Sequence, residues 1–366
     1  MARDWGDVEM KRVLIVSNNL YSGGIGKFLT LLLNKTKFKS EVTFVSRDKV
    51  LEGDMKQLGI TNSRNIIIPK VINFWPFKEV LFFLRGLTFF KKEKKYDLII
   101  VNYPLFIPAK IRNDARMVSI FHSLHKQYFN SSTPKRLIFF VLKSLHFLLI
   151  PIDWWRVKNS DKVICISEEC FNLINKKEKI WYPNYPEKKL FFQGFRNKKR
   201  DNEINVLFVG REDPFKGLDL FEKLIKNINK EDGYRNLTFT IIGSKKLRER
   251  YNNVKLKGSL SFKETIKEFS NADVFVSTSY IENMPNVIWE AIENGAIPLV
   301  SDVGDCKKMV GSINDFVFKS NDLEDLQRKF KELISQLPQK RRKLKELKKV
   351  IERTYFNKDL FEVINE

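Results

Sequence analysis

Cysteine and histidine are scarce in this chain, with three of each in 366 residues. Cys165, Cys170 and Cys306 are odd in number and have neither zinc-site spacing nor a disulfide framework, which points to a reducing cytoplasm. The start of the sequence, Met-Ala-Arg-Asp-Trp-Gly-Asp, is charged where a secretory leader needs an apolar core, so no cleaved leader is expected. Uninterrupted membrane-length apolar runs are also missing. The nearest candidate, Arg136 to Lys158, contains Lys143, His146 and Asp153, and Pro151 is expected to bend it. The six-residue Gly-x-Gly-x-x-Gly fingerprint is absent, and no ribose-binding acid follows at its usual distance, which disfavours hydride transfer with a dinucleotide. Acidic residues are outnumbered 44 to 66 by Lys and Arg, giving a formal charge of +22. Such a charge suits an anionic surface or a nucleic acid. The basic residues are nevertheless spread along the chain, apart from short clusters at 198–200 and 340–343. No recognition helix, zinc finger or aromatic RNA-binding sheet is apparent, so a basic nucleic-acid-binding module stands as a competing reading.

Two cores are expected, because 366 residues are too many for one and enough for two doubly wound domains of roughly 150 to 190 residues each. Apolar runs recur at 12–17, 41–46, 64–68, 97–102, 116–121 and 162–166, and again at 204–209, 238–242, 273–277, 297–300 and 315–318, separated by helical stretches. The alternation predicts an α/β fold. Residues 1–187 form the first domain, the polar and basic segment 188–203 the linker, and 204–342 the second domain. The amphipathic stretch 343–366 is long enough to cross back to the first.

The most informative stretch runs from Glu282 through Asn283, Met284, Pro285, Asn286 and Val287 to Glu290. Residues 273–277 read as a buried strand and 286–294 as a helix starting just after Pro285. The loop between them therefore lies at the carboxyl edge of the sheet, where open parallel sheets bind ligands. Free amides at the helix start suit an anion such as a diphosphate. Glu282 can accept hydrogen bonds from sugar hydroxyls, and Glu290, about one turn into the helix, can take both hydroxyls of a ribose. A second strand, turn and helix begins at Asn205 and carries Gly210, Arg211, Lys216 and Gly217, with its helix expected over 217–228. Arg211 can fork onto phosphate oxygens and Lys216 can supply a point charge. A third begins at Arg12, where Gly23 and Gly24 let the backbone approach a ligand ahead of a helix over 27–34. Finally, a strand from Ala115 ends at His122, with His125 close behind. His146 reads as a structural residue.

Together these motifs resemble the E-x7-E region and its partners in retaining glycosyltransferases of GT-B architecture, most closely glycosyltransferase family 4. The resemblance implies two Rossmann-like, doubly wound domains facing each other across a cleft. It also implies hexosyl transfer from a nucleotide diphosphate sugar to a glycan or lipid-linked acceptor, with retention, in cell-surface polysaccharide or glycolipid synthesis. No cofactor and no essential metal are implied, and the chain has no Asp-x-Asp motif. Donor contacts carry over to Gly23, Gly24, Gly210, Arg211, Lys216, Glu282, Asn283, Met284, Pro285, Asn286, Val287 and Glu290. Catalytic roles fall to Glu282, His122, Arg211 and Lys216, with His125 a second candidate for the histidine. The chain departs from the family at Pro183-Asn184-Tyr185-Pro186, where only Asn184 matches, and at Val303-Gly304-Asp305, which replaces a glycine pair. A non-catalytic nucleotide-sugar-binding subunit would share all of these features.

Aromatic and aliphatic residues at 137–142, 147–150 and 154–155 lie among basic residues, as do Phe74 to Phe77, Phe82, Phe83, Phe89 and Phe90 beside Lys91, Lys92, Lys94 and Lys95. Such stretches suit either helices lying on an anionic membrane, on its cytoplasmic inner face, or two core-packing helices with solvated lysine ends.

Overall fold

The computed structural model describes residues 12–17, 41–46, 63–67, 77–90, 95–103, 105–112, 114–130, 133–183, 203–311 and 313–355. They fall into two compact units. The first is drawn from described residues within Met1–Asn130 and Phe140–Asn184, and the second from those within Ser131–Phe139 and Tyr185–Asn357. Thus a short segment before position 140 joins the second unit although the sequence places it inside the first domain. The expected linker lies outside the described residues except for its last position.

The first unit is a seven-stranded parallel sheet in the order β3-β2-β1-β4-β5-β6-β7. Its strands are β1 (Arg12–Val16), β2 (Glu41–Ser46), β3 (Ser63–Ile67), β4 (Leu98–Val101), β5 (Arg116–Phe121), β6 (Lys162–Cys165) and β7 (Lys179–Trp181). Central strands covered on both faces need near-continuous apolar sequence, and Val13 to Val16 are each fully buried. The described helices of this unit are α1 (Phe77–Phe89), α2 (Ala109–Arg112), α3 (His125–Asn130), α4 (Leu137–Phe147), α5 (Ile150–Asn159) and α6 (Glu168–Leu173). The first three residues of α4 are grouped with the second unit.

The second unit is a six-stranded parallel sheet in the order β10-β9-β8-β11-β12-β13. It comprises β8 (Ile204–Val209), β9 (Leu237–Ile242), β10 (Val254–Gly258), β11 (Val274–Ser277), β12 (Ile297–Ser301) and β13 (Val317–Phe318). Around it lie α7 (Leu218–Ile228), α8 (Phe262–Asn271), α9 (Asn286–Asn294), α10 (Cys306–Met309), α11 (Leu323–Ser335) and α12 (Leu337–Tyr355).

The expected strands are present, each within two residues of its expected ends, and two more, β7 and β10, complete the sheets. Both are edge strands. Edge positions tolerate charge, and β10 reads Val-Lys-Leu-Lys-Gly with its middle exposed, a pattern with no apolar run to detect. Helix α12 begins at Leu337, ahead of the expected 343, and its continuation past Tyr355 lies outside the described residues. It is fastened to its own unit by ions: Lys340 reaches Asp315 at 3.0 Å and Glu332 at 3.3 Å, Arg341 meets Asp273 at 2.5 Å, and Lys343 pairs with Asp315. The basic cluster at 340–343 therefore meets acids of its own unit.

Pro151 does not bend a helix. The chain breaks at Leu148 and Leu149 instead, and Pro151 takes the first turn of α5, where its missing N–H costs nothing. By length and composition Leu137–Asn159 is long and apolar enough to cross a membrane, more than its interrupting residues suggest. The two aromatic stretches also differ. In α1 and just after it, Phe82 and Phe90 are core residues, and Phe83 packs edge-on against Phe106 and Trp155 at 5.6 and 5.2 Å. The α4–α5 stretch exposes much of its apolar surface.

Candidate active site

In the second sheet the strand order reverses between β8 and β11, so the loops leaving these neighbouring strands open a crevice at their carboxyl ends. Gly210 directly follows β8 and Arg211 comes next, exposed. Asp213 caps a 3-10 turn, Pro214–Lys216, by accepting from the Phe215 amide at 3.0 Å. Gly217 then adopts φ +67°, and a Cβ on it would lie 1.9 Å from the Thr278 carbonyl oxygen. Only glycine serves there. The two loops are pinned across this contact, since the Thr278 hydroxyl donates to Gly217 O at 2.8 Å and the Tyr280 amide to Phe215 O at 2.8 Å.

That pinning brings the two charged candidates together. Lys216 Nζ donates to Glu282 Oε1 at 2.6 Å, and the Ser279 hydroxyl donates to the same oxygen at 2.8 Å. Both contacts use Oε1, which leaves Oε2 for another donor. Gly304, at φ +51°, allows the Glu282 carbonyl to pass 2.2 Å from where a Cβ would stand, and the Asp305 amide donates to Asn283 O at 2.8 Å. Where the family carries a glycine pair, this chain thus keeps the one glycine that the loop contact requires. Beneath it Cys306 is fully buried, and burial and then the Glu282 carboxylate push its thiol well above the ordinary range.

Helix α9 starts at Asn286 behind Pro285, which has no side chain to cap it, so its leading amides face the loop. Asn283 Oδ1 and Asn286 Oδ1 are buried with no hydrogen-bond partner in the protein. An unpartnered buried amide costs about 1–3 kcal/mol, and a ligand with hydroxyls or phosphate oxygens would recover it, because the amide can present either its oxygen or its nitrogen. Met284 and Pro285 are buried, Val287 half-buried, and Glu290 lies inside α9 at 3% exposure. Behind the loop, Tyr280 donates to Asp219 at 2.9 Å, and Asp219 pairs with Arg136 at 2.8 Å. The Phe139 ring meets Phe215 at 5.6 Å and Tyr280 at 5.5 Å. Arg136 and Phe139 belong to the short segment that joins this unit from earlier in the chain.

The first sheet reverses between β1 and β4, and there a polar chain crosses three strand ends. Asn102 Nδ2 donates to Ser17 Oγ at 3.2 Å, and Asn102 Oδ1 lies 2.8 Å from His122 Nε2. The first bond orients the amide, so His122 donates from Nε2 and its Nδ1 is the ring's acceptor. His122 is held neutral, its pKa lowered to about 3 by burial and then by the charge of Arg156. Arg156 is itself buried, donates to Val101 O at 3.0 Å and Ile120 O at 2.8 Å, and lies over the Phe121 ring. His125 is placed differently, its Nδ1 2.9 Å from the buried carboxylate of Asp153. His146 stacks on Tyr128 at 4.1 Å, and burial and then His125 lower its pKa to about 3. Gly23, Gly24 and the helix expected after them lie outside the described residues, as does Asn184.

Two neutral histidines make stability depend on pH. Each ring takes a proton near 6.5 in the unfolded chain but only near 3 in the fold. Between those values the unfolded state binds more protons, so the contribution of each ring is complete above pH 6.5 and is lost as pH falls toward 3, at up to about 1.4 kcal/mol per pH unit per ring. Urea midpoints at pH 7 and pH 5 should show this loss, and His146→Phe, which keeps the stack on Tyr128, should remove its share.

Ser279, Thr278, Asn102 and Ser17 were not singled out from sequence, although each lies within two residues of the carboxyl end of a buried strand, the signal that could have found them. Among the described residues no group of three or more His, Cys, Asp or Glu is placed to hold a metal ion.

Two family models match the chain, "Glycosyltransferase Family 4" over residues 23–180 and "Glycosyl transferases group 1" over residues 191–350. No curated protein matches it. Several hundred solved chains do, at low identity. Sucrose-phosphate synthase from Thermosynechococcus elongatus is 15% identical with a TM-score of 0.68, covering 92% of this chain and 94% of its own. Anabaena HepE in complex with UDP-glucose is 14% identical with a TM-score of 0.67, covering 96% of each chain. A mutant of S. aureus TarM, bound to UDP and alpha-GlcNAc-glycerol among others, is 12% identical with a TM-score of 0.61, covering 97% of this chain and 98% of its own. At such identities the likeness is one of fold: the GT-B architecture, built from two Rossmann-like domains.

Proposed function

Because the chain belongs to the group 1 and family 4 glycosyltransferases, we propose that it moves a glycosyl group from a nucleoside diphosphate sugar to a glycan or lipid-linked acceptor. The observation that carries this reading is the 2.6 Å contact of Lys216 with Glu282, made between the two loops at the point where the second sheet reverses. A cation and a carboxylate side by side suit the two ends of one bond. Lys216, Arg211 and the leading amides of α9 would hold the diphosphate, while Glu282 Oε2 would accept from sugar hydroxyls and Asn283 and Asn286 would pair with the same ligand. Glu290 would take the ribose hydroxyls. In the first unit the Ser17–Asn102–His122 chain offers a neutral, fixed imidazole suited to hydrogen-bonding a sugar hydroxyl.

As the anomeric carbon–oxygen bond breaks, both electrons leave with the diphosphate, and Arg211 and Lys216 neutralise the charge that develops there, the role a divalent cation plays elsewhere. No cofactor and no essential metal are needed for such a step. The product would retain the anomeric configuration as an acceptor hydroxyl attacks an oxocarbenium-like state from the face the diphosphate leaves and gives its proton to a departing phosphate oxygen, and no side chain is assigned as a covalent nucleophile. Hexosyl transfer for cell-surface polysaccharide or glycolipid synthesis, at the cytoplasmic face of a membrane, is the setting that fits an acceptor-side unit rich in aromatic and basic residues. UDP compounds bound by fold relatives make UDP-sugars the first to try.

Melting temperatures of the purified protein with UDP-, GDP- and ADP-sugars test the donor site. A ligand at one hundred times its Kd adds about 2.7 kcal/mol of stability. One nucleotide class should raise the melting temperature of the wild type; Glu290→Ala should lose that shift and Lys216→Ala should only reduce it. No shift with any donor, together with tight salt-sensitive binding to DNA, would overturn the reading in favour of a basic nucleic-acid-binding module.

A further inference from the structure

Helix α4 is inverted relative to a surface helix of a soluble protein. Phe139 and His146 face inward, while Phe140, Val141, Ser144 and Phe147 point outward, continued by Leu148 in the turn that follows. The exposures of Phe140, Phe147 and Leu148 are 70%, 56% and 59%, and Trp154 on α5 adds 44%. An outward arc of this kind should be polar. Ser144 is the one polar residue on it, and its hydroxyl is turned back onto Phe140 O at 3.0 Å, as serines do on helices that face hydrocarbon.

Charge defines the partner. Between His122 and Ser160 the only acid is Asp153, which is buried beside His125 and Arg156, so this stretch presents only neutral and cationic groups. Lys143 stands one turn from both Phe140 and Phe147, Lys158 one turn from Trp154, and Lys126 lines a small apolar pocket together with Trp154. Apolar rings with lysines one turn away match the headgroup boundary of an anionic bilayer, where the rings enter the acyl region and the ammonium groups meet lipid phosphates.

We propose that the outward face of α4, the turn at Leu148 and Trp154 form a docking surface that inserts into the leaflet of an anionic membrane without crossing it. Crossing is opposed by α5 itself: Arg156 and Asp153 are buried in the unit, and Arg156 is tied to the carbonyls of β4 and β5. Extracting those groups into hydrocarbon would cost several kcal/mol. Only 28% of the most apolar window of this stretch is buried in the protein, which sets it apart from a core helix. This surface deepens the membrane setting proposed above and rests on it. Because the donor site lies in the other unit, donor-induced melting shifts on the same variants separate failure of the surface from failure of the transferase reading.

Co-sedimentation of the full chain with vesicles of phosphatidylglycerol and phosphatidylcholine, against phosphatidylcholine alone, is the test. The wild type should bind the anionic vesicles. A Phe140→Ser, Phe147→Ser, Leu148→Ser variant should partition about tenfold or more less strongly, and Lys126→Glu with Lys158→Glu should remove the preference for phosphatidylglycerol. A second readout needs no folding argument: brominated lipid should quench the tryptophan fluorescence of the wild type, and Trp154→Phe should lose most of that quenching. Equal binding by the triple-serine variant and the wild type would overturn the proposal. So would absence of vesicle binding, and a dimer in sedimentation velocity that the triple-serine change makes monomeric would identify the surface as a contact between copies of this chain.

Discussion

Lys216→Ala is expected to lower kcat/KM for glycosyl transfer by about two to three orders of magnitude, the loss typical of removing one preorganised group aimed at developing negative charge. The expectation rests on how firmly the ammonium is placed. Gly217 turns the chain immediately after it in a left-handed conformation, Asp213 caps the turn in front of it, and Glu282 holds its Nζ at 2.6 Å. A group held this way needs little rearrangement when charge appears on a leaving oxygen. Because the interaction grows as the bond breaks, most of the loss should fall in kcat, with a smaller rise in KM. Glu282→Gln provides the contrast. It keeps the Ser279 contact and the side-chain shape but changes the group proposed to accept from the sugar, so it should spare nucleotide binding, read as melting shift with free nucleotide, while depressing transfer. A Lys216→Ala enzyme with near wild-type kcat would exclude Lys216 from the chemistry.

Arg156→Met should cost about 3–5 kcal/mol of stability, the usual loss when one partner of a buried ionic network is removed. For a unit of this size that is about 10 °C in melting temperature. Two carbonyls, Val101 O and Ile120 O, would lose a charged donor at the ends of adjacent strands, and Asp153 would remain buried with His125. Methionine fills similar volume, so the loss reports on charge and hydrogen bonds more than on a cavity. His122 gives an independent readout. With the nearby positive charge gone its pKa should rise from about 3 toward 6.5, though burial would still hold it below. The part of the acid destabilisation due to His122 would then be confined to a narrower range just under pH 6.5. Calorimetry and urea unfolding across pH 4 to 7 measure both effects.

Much of this was legible in the sequence because buried parallel strands must be apolar along their whole length. The runs at Val13 to Val16 and Val274 to Val276 could hardly be anything else, and helix α9 begins where Pro285 demands. Edge strands are freed from that demand, which is why β10, with lysine at alternate positions, went unseen. Within the site, charged residue types were readable but contacts were not. Nothing in local spacing says that Lys216 and Glu282, 66 positions apart, touch, or that Ser279 shares the same carboxylate oxygen. That information lies in strand order, since β8 and β11 are neighbours only after the sheet reverses. Asn102 escaped notice for a related reason: an asparagine after a strand looks like turn chemistry until His122 arrives beside it from the next strand. The two aromatic stretches looked alike in composition, and only packing separated Phe82 and Phe90 in the core from Phe140 and Phe147 on the surface.

The segment that joins the second unit from before position 140 bears on how this enzyme could be taken apart. A fragment starting at β8 would leave Asp219 without Arg136, and Phe215 and Tyr280 without the ring of Phe139, directly behind the loop that carries Glu282. The second unit is therefore not a portable cassette. A chimaera that grafts it onto the first unit of another transferase would have to bring residues 133–139 along, or supply an equivalent arginine and aromatic ring from the host.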